Sequence, residues 1–392
     1  MSTRVRPVPR TSVRSIVGAL RSRPSLPGDP AQSESPTSTL DDVRGLVERA
    51  APFLPAEHHS AVVRRVLAEI SGFGVLEQYL DDPAVTEVAV NRGREVWVDR
   101  NGGMELVDDL GETGVEPIIE RIITPLGLRF DLSSPVVDAR LPGGHRMCAV
   151  RSPLAVDGTS LSIRRFAVRS LDLSEHSGPD VCALLDNIMA RRLNLVVCGA
   201  ASSGKTTLLN ALAARIAPTE RVVTVEDTAE LVLPCPNLVR LETRPATPDG
   251  VAEVSIRRLV QTALRLRPDR IVIGEVRGAE AFDMVQALNT GHDGSLSTIH
   301  ANSPSDALRR LTTLAMLGAP ASAGSLLTEQ VNTCIDIVVQ TARHHDGRRS
   351  IASICETQPD GSLRTLATGQ RVHAAPVRRR LHLVGAGLPT DQ

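Results

Sequence analysis

The chain has 392 residues, and its 44 Lys and Arg residues nearly balance 45 Asp and Glu residues, so the net charge of −1 provides no overall attraction to nucleic acid. Aromatic residues, on which unpaired bases would stack, make up only 2% of the sequence. No apolar run approaches the length of about 18 residues that a membrane-spanning helix needs, and the spacing of the six cysteines excludes a zinc ribbon. The composition favours a soluble cytoplasmic protein of two or three domains that makes no direct contact with nucleic acid.

The N-terminal segment, residues 1–38, is rich in Arg, Ser and Pro, and up to Pro27 it contains six arginines and no acidic residue. This composition is typical of a disordered tail; a weak tether to anionic lipid, giving peripheral membrane association, or to an acidic partner is the alternative. The apolar spacing then predicts helices over Leu40–Ala50 and Glu57–Ile70.

Helical and strand-like patterns are mixed between residues 39 and 169. They predict two strands joined by an Asn-Arg-Gly turn, then a helix and two more strands: Val85–Val90, Glu95–Asp99, Glu116–Pro125, Arg146–Val150 and Ser160–Arg165. This mixture predicts a smaller N-terminal α+β domain over residues 39–169, followed by a linker over residues 170–177.

The segment Gly199-Ala-Ala-Ser-Ser-Gly204-Lys205-Thr206 matches the Walker A phosphate-binding loop (P-loop), and Lys205 is the only lysine in the chain. A short apolar strand, Leu195–Cys198, precedes it and a helix, Thr206–Ala214, follows it, which is the order that points a helix N-terminus at phosphates. In such a loop, backbone N–H groups surround the phosphates, a compact ammonium reaches them and a hydroxyl binds Mg²⁺. The predicted nucleotide-binding residues are Gly199, Ala200, Ala201, Ser202, Ser203, Gly204, Lys205, Thr206 and Thr207, with Thr206 also as a magnesium ligand.

Strands and helices alternate after the P-loop. The predicted strands are 221–225, 270–273 and 297–299, and the predicted helices are 254–266, 279–288 and one that opens at Ser303-Pro304. Alternation of this kind predicts a mostly parallel sheet flanked by helices. The predicted fold class is therefore α/β, with a RecA-like P-loop ATPase core over residues 178–392.

Two acidic motifs follow predicted strands, where ligands bind in open α/β sheets. Glu275 ends the apolar strand that starts at Arg270, and a carboxylate there orders Mg²⁺ through water or polarises an attacking water. Glu226 and Asp227 follow an earlier strand, and Glu226 is the preferred water-activating residue, with Glu275 second. Glu230 is either a further functional acid or an acid on the face of a helix.

Two histidines lie in the segment Gly291–Asn302. His292 stands close to glycines on both sides, and His300 ends a predicted strand. A lone histidine at a strand end is more often structural, but two of them at this point of a sheet are candidates to bind the γ-phosphate or to sense its loss.

Four motifs follow one another along the chain: the Walker A loop, the acidic residues of Glu226–Glu230, the Gly-Glu pair that ends at Glu275, and the segment that contains His292 and His300. In this order they resemble the secretion-superfamily ATPases of type II and type IV systems. The similarity is greatest to the CpaF/TadA branch that powers Tad/Flp pilus assembly, alongside the VirB-type traffic ATPases. It covers roughly residues 70–340 and includes Phe73–Glu77, Ser134–Gly144, Ser162–Phe166, Leu266–Ile271, Gly274–Gly278 and Asn289–Ser295.

The resemblance implies a homohexameric motor that holds ATP and Mg²⁺ between its N-terminal and C-terminal domains. It also implies a place at the cytoplasmic face of the inner membrane, with a secretion or pilus platform protein as the membrane partner. In that geometry, Arg140 and Arg146, which flank a Pro-Gly-Gly turn, are candidates to reach phosphates across a subunit boundary, as are Arg164 and Arg277. The alternative is that they are ordinary surface arginines.

The chain departs from the GspE-type relatives because it lacks their tetracysteine module, and its tail after residue 342, with His344-His345-Asp-Gly, carries no interpretable motif. A GTPase would need an Asn-Lys-x-Asp motif, which a single lysine excludes. Two alternatives to a secretion motor stay open. One is a DNA translocase or conjugation-type ATPase, and the other is a regulatory module that binds ATP without hydrolysing it.

Overall fold

The computed structural model of the chain describes residues 43–45, 47–49, 52, 56–100, 102–141, 143–166, 172–246, 250–320, 324–344 and 347–378. The chain divides into two units, residues 1–167 and 168–392. The predicted tail over residues 1–38 lies outside the described residues, and the predicted helix over 40–50 is helical at 43–45 and 47–49, the parts of it that are described. None of the helices in the described ranges is both long and apolar enough to cross a membrane.

The first unit contains a six-stranded sheet with the order β3-β2-β1-β6-β5-β4, in which neighbouring strands are antiparallel. Its strands are β1 (Val85–Asn91), β2 (Glu95–Arg100), β3 (Gly103–Asp109), β4 (Val136–Arg140), β5 (Arg146–Val150) and β6 (Ser160–Arg164). Its helices are α1 (Ala56–Ser71), α2 (Glu77–Leu80) and α3 (Glu116–Ile123). The α+β architecture follows the mixed apolar patterns of the sequence.

One face of this sheet is buried because apolar side chains alternate along its strands. On β6, for example, Leu161 and Ile163 are buried and pack in the same cluster as the isoleucines of α3. Strands β3 and β4 were missing from the sequence prediction. The reason at β3 is that this edge strand exposes most of its residues and lacks buried alternation.

The second unit contains a nine-stranded sheet with the order β15-β14-β13-β12-β7-β11-β10-β8-β9. Its strands are β7 (Leu195–Gly199), β8 (Val222–Glu226), β9 (Leu238–Glu242), β10 (Arg270–Ile273), β11 (Leu296–His300), β12 (Ile337–Arg343), β13 (Arg349–Thr357), β14 (Leu363–Thr368) and β15 (Arg371–Val372). Its helices are α4 (Pro179–Ala190), α5 (Lys205–Ala213), α6 (Ile256–Ala263), α7 (Glu280–Asn289), α8 (Pro304–Gly318) and α9 (Gly324–Cys334).

The strands from β12 to β9 in this order are parallel, and β13, β14 and β15 extend the sheet antiparallel. Two apolar clusters cover the two faces: α4 and α5 pack on one, and α6 to α9 pack on the other. Both faces are therefore buried, which explains the continuous apolar runs of the central strands. The predicted α/β class with a parallel core is confirmed.

The parallel arrangement brings the carboxyl ends of β7, β8, β10 and β11 to one edge of the sheet. In the register of these strands, His300 stands beside Gly199, and Ile273 stands beside Val225. The P-loop, both acidic motifs and His300 come from these strand ends, so one edge collects them.

The segment predicted as a linker, residues 170–177, packs on the second unit wherever it is described. Residues Leu173–Glu175 form a 3₁₀ turn, and Leu173 is fully buried in the cluster that contains α4. His176 and Ser177 are also buried. From residue 172 onward, this segment is part of the second unit.

Candidate nucleotide site

The P-loop connects the buried strand β7 to α5 through a tightly packed turn. The φ angles of Gly199, Ser202 and Gly204 are 153°, 57° and 94°. At Gly199 a Cβ atom would collide with Oγ1 of Thr341, and at Gly204 it would lie 2.9 Å from Cδ of Arg349. Both glycines are therefore required by close packing as well as by backbone conformation.

Lys205 begins α5, and only 7% of it is exposed. Its Nζ donates hydrogen bonds to the carbonyl oxygens of Gly199 at 3.2 Å and Ala200 at 2.9 Å, and it lies 3.3 Å from Nδ1 of His300. A compact ammonium with three donors fits this small space, whereas a planar guanidinium is wider. The adjacent Thr206 and Thr207 are half-buried in the first turn of α5, where hydroxyls of a P-loop are expected.

His300 lies between the P-loop lysine and Glu275, the acidic residue that follows β10. Because Nζ of Lys205 is a donor, Nδ1 of His300 must accept, so the neutral ring carries its proton on Nε2. Burial and the charge of Lys205 lower the pKa of His300, which favours this neutral form. Its Nε2 lies 3.0 Å from Oε1 of Glu275.

Glu275 follows β10 and is held by Arg277. Oε2 of Glu275 accepts a hydrogen bond from Nη2 of Arg277 at 2.8 Å, and Nη1 of Arg277 lies 3.5 Å from Oδ2 of Asp227. Burial disfavours the charged form of Glu275, but the hydrogen bond from Arg277 and the nearby positive charges outweigh burial and hold the pKa below its ordinary value. Glu275 is therefore a carboxylate at neutral pH.

Glu226 ends β8 and is 3% exposed. Its Oε1 accepts hydrogen bonds from the backbone N–H groups of Glu230 and Leu231, each at 2.9 Å. Burial raises the pKa of Glu226 to about 7 although these two hydrogen bonds favour the charged form. Gly274 lies against this side chain, and a Cβ atom there would lie 2.9 Å from Cγ of Glu226.

Two carboxyl oxygens at this edge, Oε2 of Glu226 and Oε1 of Glu275, are buried with no hydrogen-bond partner among the described residues. At Glu275, the ring of His300 is close but its N–H does not point along the line to Oε1. Buried oxygens of this kind are costly unless water or a hydrated cation satisfies them. The donor set therefore fits Mg²⁺ that is bound by the hydroxyl of Thr206 and by phosphates, with Glu275 acting through water.

In the described part of the chain, no group of three or more His, Cys, Asp and Glu side chains is placed to hold a metal ion by itself. This agrees with the way P-loop proteins bind Mg²⁺, since most of its ligands there are phosphate oxygens and water.

His292 lies at the opposite edge of the sheet from the P-loop, so the prediction that both histidines reach a phosphate is wrong for this residue within one chain. It precedes the first residue of β11, whereas the P-loop follows the last residue of the parallel strand β7. At about 3.3 Å per residue, the strand alone separates the two edges by roughly 13 Å. Nδ1 of His292 instead lies 3.1 Å from the carbonyl oxygen of Ala287 in α7.

The arginines of the first unit form a row on its sheet. Arg140 on β4 faces Arg146 on β5, and Arg146 also faces Arg164 on β6. Directly opposite residues share a face of a sheet, and like charges there repel unless an anion or acidic neighbour offsets them. Arg140 and Arg164 are exposed, and Arg146 is half-buried. Their binding of phosphate across a subunit boundary remains a prediction.

Three residues in the second unit differ from the sequence interpretation. Glu230 lies in an irregular segment rather than on a helix, and its backbone N–H fixes Glu226. Arg277 binds Glu275 of its own chain. Thr341 was not predicted at all: its hydroxyl donates to the carbonyl oxygen of Cys198 at 3.1 Å and lies 2.8 Å from Oγ of Ser203. The signal that could have pointed to Thr341 was only a polar position in an apolar strand.

Known proteins resemble most of this chain. A model of the type II/IV secretion system protein family matches residues 69–376. The chain is 39% identical over 307 residues to a protein of Mycobacterium tuberculosis named as a candidate conjugal transfer protein, covering 75% of this chain and 87% of that protein. It is 36% identical over 322 residues to the type IV secretion system protein PtlH of Bordetella pertussis, covering 71% of this chain and 92% of PtlH.

A solved structure shares the fold at lower identity. The ATPase DotB of Legionella pneumophila matches 73% of this chain and 80% of its own with a TM-score of 0.53 and 20% identity. The RecA-like core with a smaller N-terminal unit is therefore a known architecture. The family match also runs past residue 340, where the motif resemblance ended, and so includes the β12–β13 hairpin beside the P-loop.

Proposed function

The chain belongs to the type II/IV secretion system protein family, and we propose on that basis that it hydrolyses ATP to drive a secretion or pilus machine. The single observation that carries the proposal is a continuous series of contacts through the four motifs. It runs from Lys205 to His300 at 3.3 Å, from His300 to Glu275 at 3.0 Å, and through Arg277 to Asp227. Residues that lie far apart in sequence thus form one polar site at the carboxyl edge of the sheet.

Each motif has a role in this proposal. Lys205 and the loop backbone bind the phosphates, Thr206 binds Mg²⁺, and Glu275 orders the hydrated ion. When bound, Mg²⁺ neutralises charge that develops on the phosphates. Glu226, with a pKa of about 7, accepts a proton from the attacking water near neutral pH. His300, as a neutral Nε2–H tautomer, lies between Lys205 and Glu275, so its position depends on both groups.

The ring is the second part of the proposal. We infer a homohexamer in which Arg140 and Arg146 meet the nucleotide of a neighbouring subunit, because the side chains of Arg140, Arg146 and Arg164 stand opposite one another on neighbouring strands and arginines grouped in this way favour anion binding. We further place the motor at the cytoplasmic face of the inner membrane, bound to a platform protein. Within the family, the CpaF/TadA type remains our preferred subtype because of the motif resemblance.

A conjugation-type motor is the second candidate function, and one observation favours it: the Mycobacterium tuberculosis relative is named for conjugal transfer. Turnover that DNA stimulates, with a steep loss of stimulation as salt rises, would support this candidate. The near-neutral charge and the few aromatic residues of the chain favour a motor that does not touch DNA itself.

The test of ATP hydrolysis compares phosphate release by the wild type with that of Lys205→Ala and Lys205→Arg, with Mg²⁺ and with a chelator. Both variants should lose turnover by about 100-fold or more, because neither places a compact charge inside the loop. Arg309→Ala is the matched control, since the side chain of Arg309 is 77% exposed on α8. Turnover by Lys205→Ala at the wild-type rate, or none by the wild type with Mg²⁺, would contradict the proposal.

A further inference from the structure

The hairpin formed by β12 and β13 is attached to the P-loop by buried polar contacts. Thr341 of β12 is 3% exposed, and its hydroxyl donates to the carbonyl oxygen of Cys198 in β7. Because that hydroxyl has one hydrogen, the hydroxyl of Ser203 must be the donor in the 2.8 Å contact between them. The hairpin therefore holds the loop from one side, although Ser203 and Thr341 are far apart in sequence.

Arg349, the first residue of β13, lies over the point where the phosphate-binding helix begins. A Cβ atom at Gly204 would lie 2.9 Å from Cδ of Arg349, 3.6 Å from its Cβ and 3.7 Å from its Cγ. Gly204 is the N-cap of α5 and precedes Lys205. The aliphatic part of Arg349 therefore packs on the loop, and its guanidinium begins one bond beyond Cδ, the Arg349 atom nearest to Gly204.

The same strand also contacts the segment through which the chain enters the second unit. Two residues after Arg349, the N–H of Ile351 donates to the carbonyl oxygen of His176 at 3.3 Å. His176 is 4% exposed, and its Nε2 is buried without a hydrogen-bond partner in the described structure. Burial lowers the pKa of His176, the negative charge of Glu175 opposes this shift, and the positive charge of Arg349 lowers the pKa further, so the guanidinium is also near this ring.

We propose that Arg349 is a second cation of the nucleotide site, contributed by the β12–β13 hairpin of the same chain, which binds the phosphate chain beside Lys205. An arginine suits this place because its planar fork binds phosphate oxygens in pairs from the side, while the smaller lysine occupies the interior of the loop. Phosphate bound to Arg349 would offset its charge at His176. Phosphate binding in the P-loop is thereby coupled to His176, which lies in the segment where the chain enters the second unit.

This inference rests on the proposed nucleotide site, and its test separates the two. The variants are Arg349→Met, which keeps the aliphatic packing on Gly204 and removes the charge, and Arg349→Lys, which keeps the charge and removes the fork. Arg348→Met is the matched control, since Arg348 is the exposed neighbour. Thermal unfolding of each variant establishes that it is folded.

The first measurement is equilibrium binding of Mg-ADP and of Mg-pyrophosphate by calorimetry. We expect Arg349→Met to raise both Kd values by about tenfold, or about 1.4 kcal/mol, Arg349→Lys to raise them by less, and Arg348→Met to leave them within about twofold. Wild-type Kd values in Arg349→Met, or a loss confined to ADP with pyrophosphate unaffected, would overturn the role of Arg349 at the phosphates.

The second measurement is the pKa of His176 from an NMR titration, with His176→Gln to assign its signal. In the wild type, Mg-ADP should raise the pKa of His176 because the bound phosphates offset the charge of Arg349. In Arg349→Met, the pKa should already be raised and should not respond to Mg-ADP; an equal response in both would count against the coupling.

ADP binding by Lys205→Ala separates the failure of this inference from the failure of the proposed nucleotide site. If the wild type and Lys205→Ala bind ADP with equal affinity, or if neither binds it, the nucleotide site itself fails. If only Lys205→Ala loses binding, the role of Arg349 alone fails.

Discussion

Glu226 and Glu275 are the same residue type at the same edge of one sheet, yet their pKa values are shifted in opposite directions. Burial raises the pKa of Glu226 to about 7, whereas at Glu275 the hydrogen bond from Arg277 and nearby charges overcome burial and lower it. Two titratable groups whose pKa values are pushed apart can divide the roles of proton acceptor and fixed charge. Glu226 therefore suits a base near neutral pH, and Glu275 suits a permanent charge that orders a hydrated cation.

This division of roles predicts the pH dependence of turnover. In the wild type, turnover should rise with pH through about 7, because Glu226 accepts a proton only in its deprotonated form. Glu226→Gln should lower turnover by about 100-fold or more and remove this rise. Glu242→Gln is the matched control, since Glu242 stands opposite Glu226 on β9. Steady-state rates across the pH range check the prediction, and an unchanged pH profile in Glu226→Gln would contradict it.

The raised pKa of Glu226 also predicts a stability effect. The folded chain keeps this proton up to a pH of about 7, whereas the unfolded chain releases it near 4.5. Between these values the folded state binds more protons, so the free energy of unfolding falls as pH rises, by roughly 3 kcal/mol over the window. Chemical denaturation at a series of pH values should show this fall in the wild type and not in Glu226→Gln. Parallel curves for the two proteins would show that burial does not hold the proton.

At the residue scale, the sequence predicts the position of a residue where its motif requires particular neighbouring elements. It does not do so where only the three-dimensional fold sets that position. Lys205 was predictable because its loop must lie between a strand and a helix. His292 and His300 looked equivalent in one short motif, but β11 runs between them and carries them to opposite edges. A spacing of eight positions along the chain does not reveal which residues of the segment form the strand.

The β12–β13 hairpin packs against the P-loop and fixes its conformation by hydrogen bonds, although nothing in the loop motif predicts this contact. Ser203 of the loop and Thr341 of the hairpin share a hydrogen bond, and the hydroxyl of Thr341 also satisfies the carbonyl oxygen of Cys198. A buried hydroxyl that satisfies two other buried groups is costly to remove, because both lose their partner.

Thr341→Val keeps the shape of this side chain and removes its hydroxyl. We expect a loss of about 1 to 2 kcal/mol in the free energy of unfolding and weaker binding of Mg-ADP, because the conformation of the loop is then less fixed. Thr313→Val is the control, since the hydroxyl of Thr313 donates to the backbone carbonyl oxygen of Arg309 on the exposed side of α8. Denaturation and calorimetry measure both effects. Equal losses in the two variants would show that the contact with the P-loop has no special role.

At the element scale, local patterns predicted the P-loop strand and helix and the elements that alternate after them as far as α8, except β9. The predicted helix that opens at Ser303-Pro304 begins as expected, with Ser303 accepting a hydrogen bond from the N–H of Asp306. Strands β9 and β12 to β15 escaped prediction. β9 and β15 are the two edge strands and bury none of their residues, so their apolar pattern is weak. β12 is mostly buried beside β7, and periodicity alone does not distinguish such a short apolar run from a buried helix.

At the scale of the whole molecule, the α/β class and the order of a smaller N-terminal unit before a RecA-like core followed from the alternation of patterns. The division after residue 167 lies close to the predicted boundary, but the segment expected to link the units packs on the second one from residue 172. The composition of this segment does not predict its packing, because the burial of Leu173 depends on the apolar cluster of the second unit against which it packs. The assembly of several chains is likewise not decided by the pattern of one sequence, because it depends on surfaces that two chains bring together.

The row formed by Arg140, Arg146 and Arg164 yields a prediction about that assembly. If Arg146 serves the nucleotide of a neighbouring subunit, Arg146→Ala alone and Lys205→Ala alone should each abolish most turnover. Equal mixing of the two, under conditions that exchange subunits, should restore sites that combine an intact P-loop from one variant with an intact arginine from the other. Random mixing places such pairs at about a quarter of the interfaces of a ring.

The measurement is the ATPase rate of the mixture against the sum of the separate rates. Recovery toward about a quarter of the wild-type rate is expected if Arg146 acts on the neighbour, since each restored site needs one subunit of each kind. A mixture of Lys205→Ala with Lys205→Arg is the control, because every interface there has a defective loop and no pairing restores it. If the first mixture shows no more turnover than the control, Arg146 acts within its own chain or not at all.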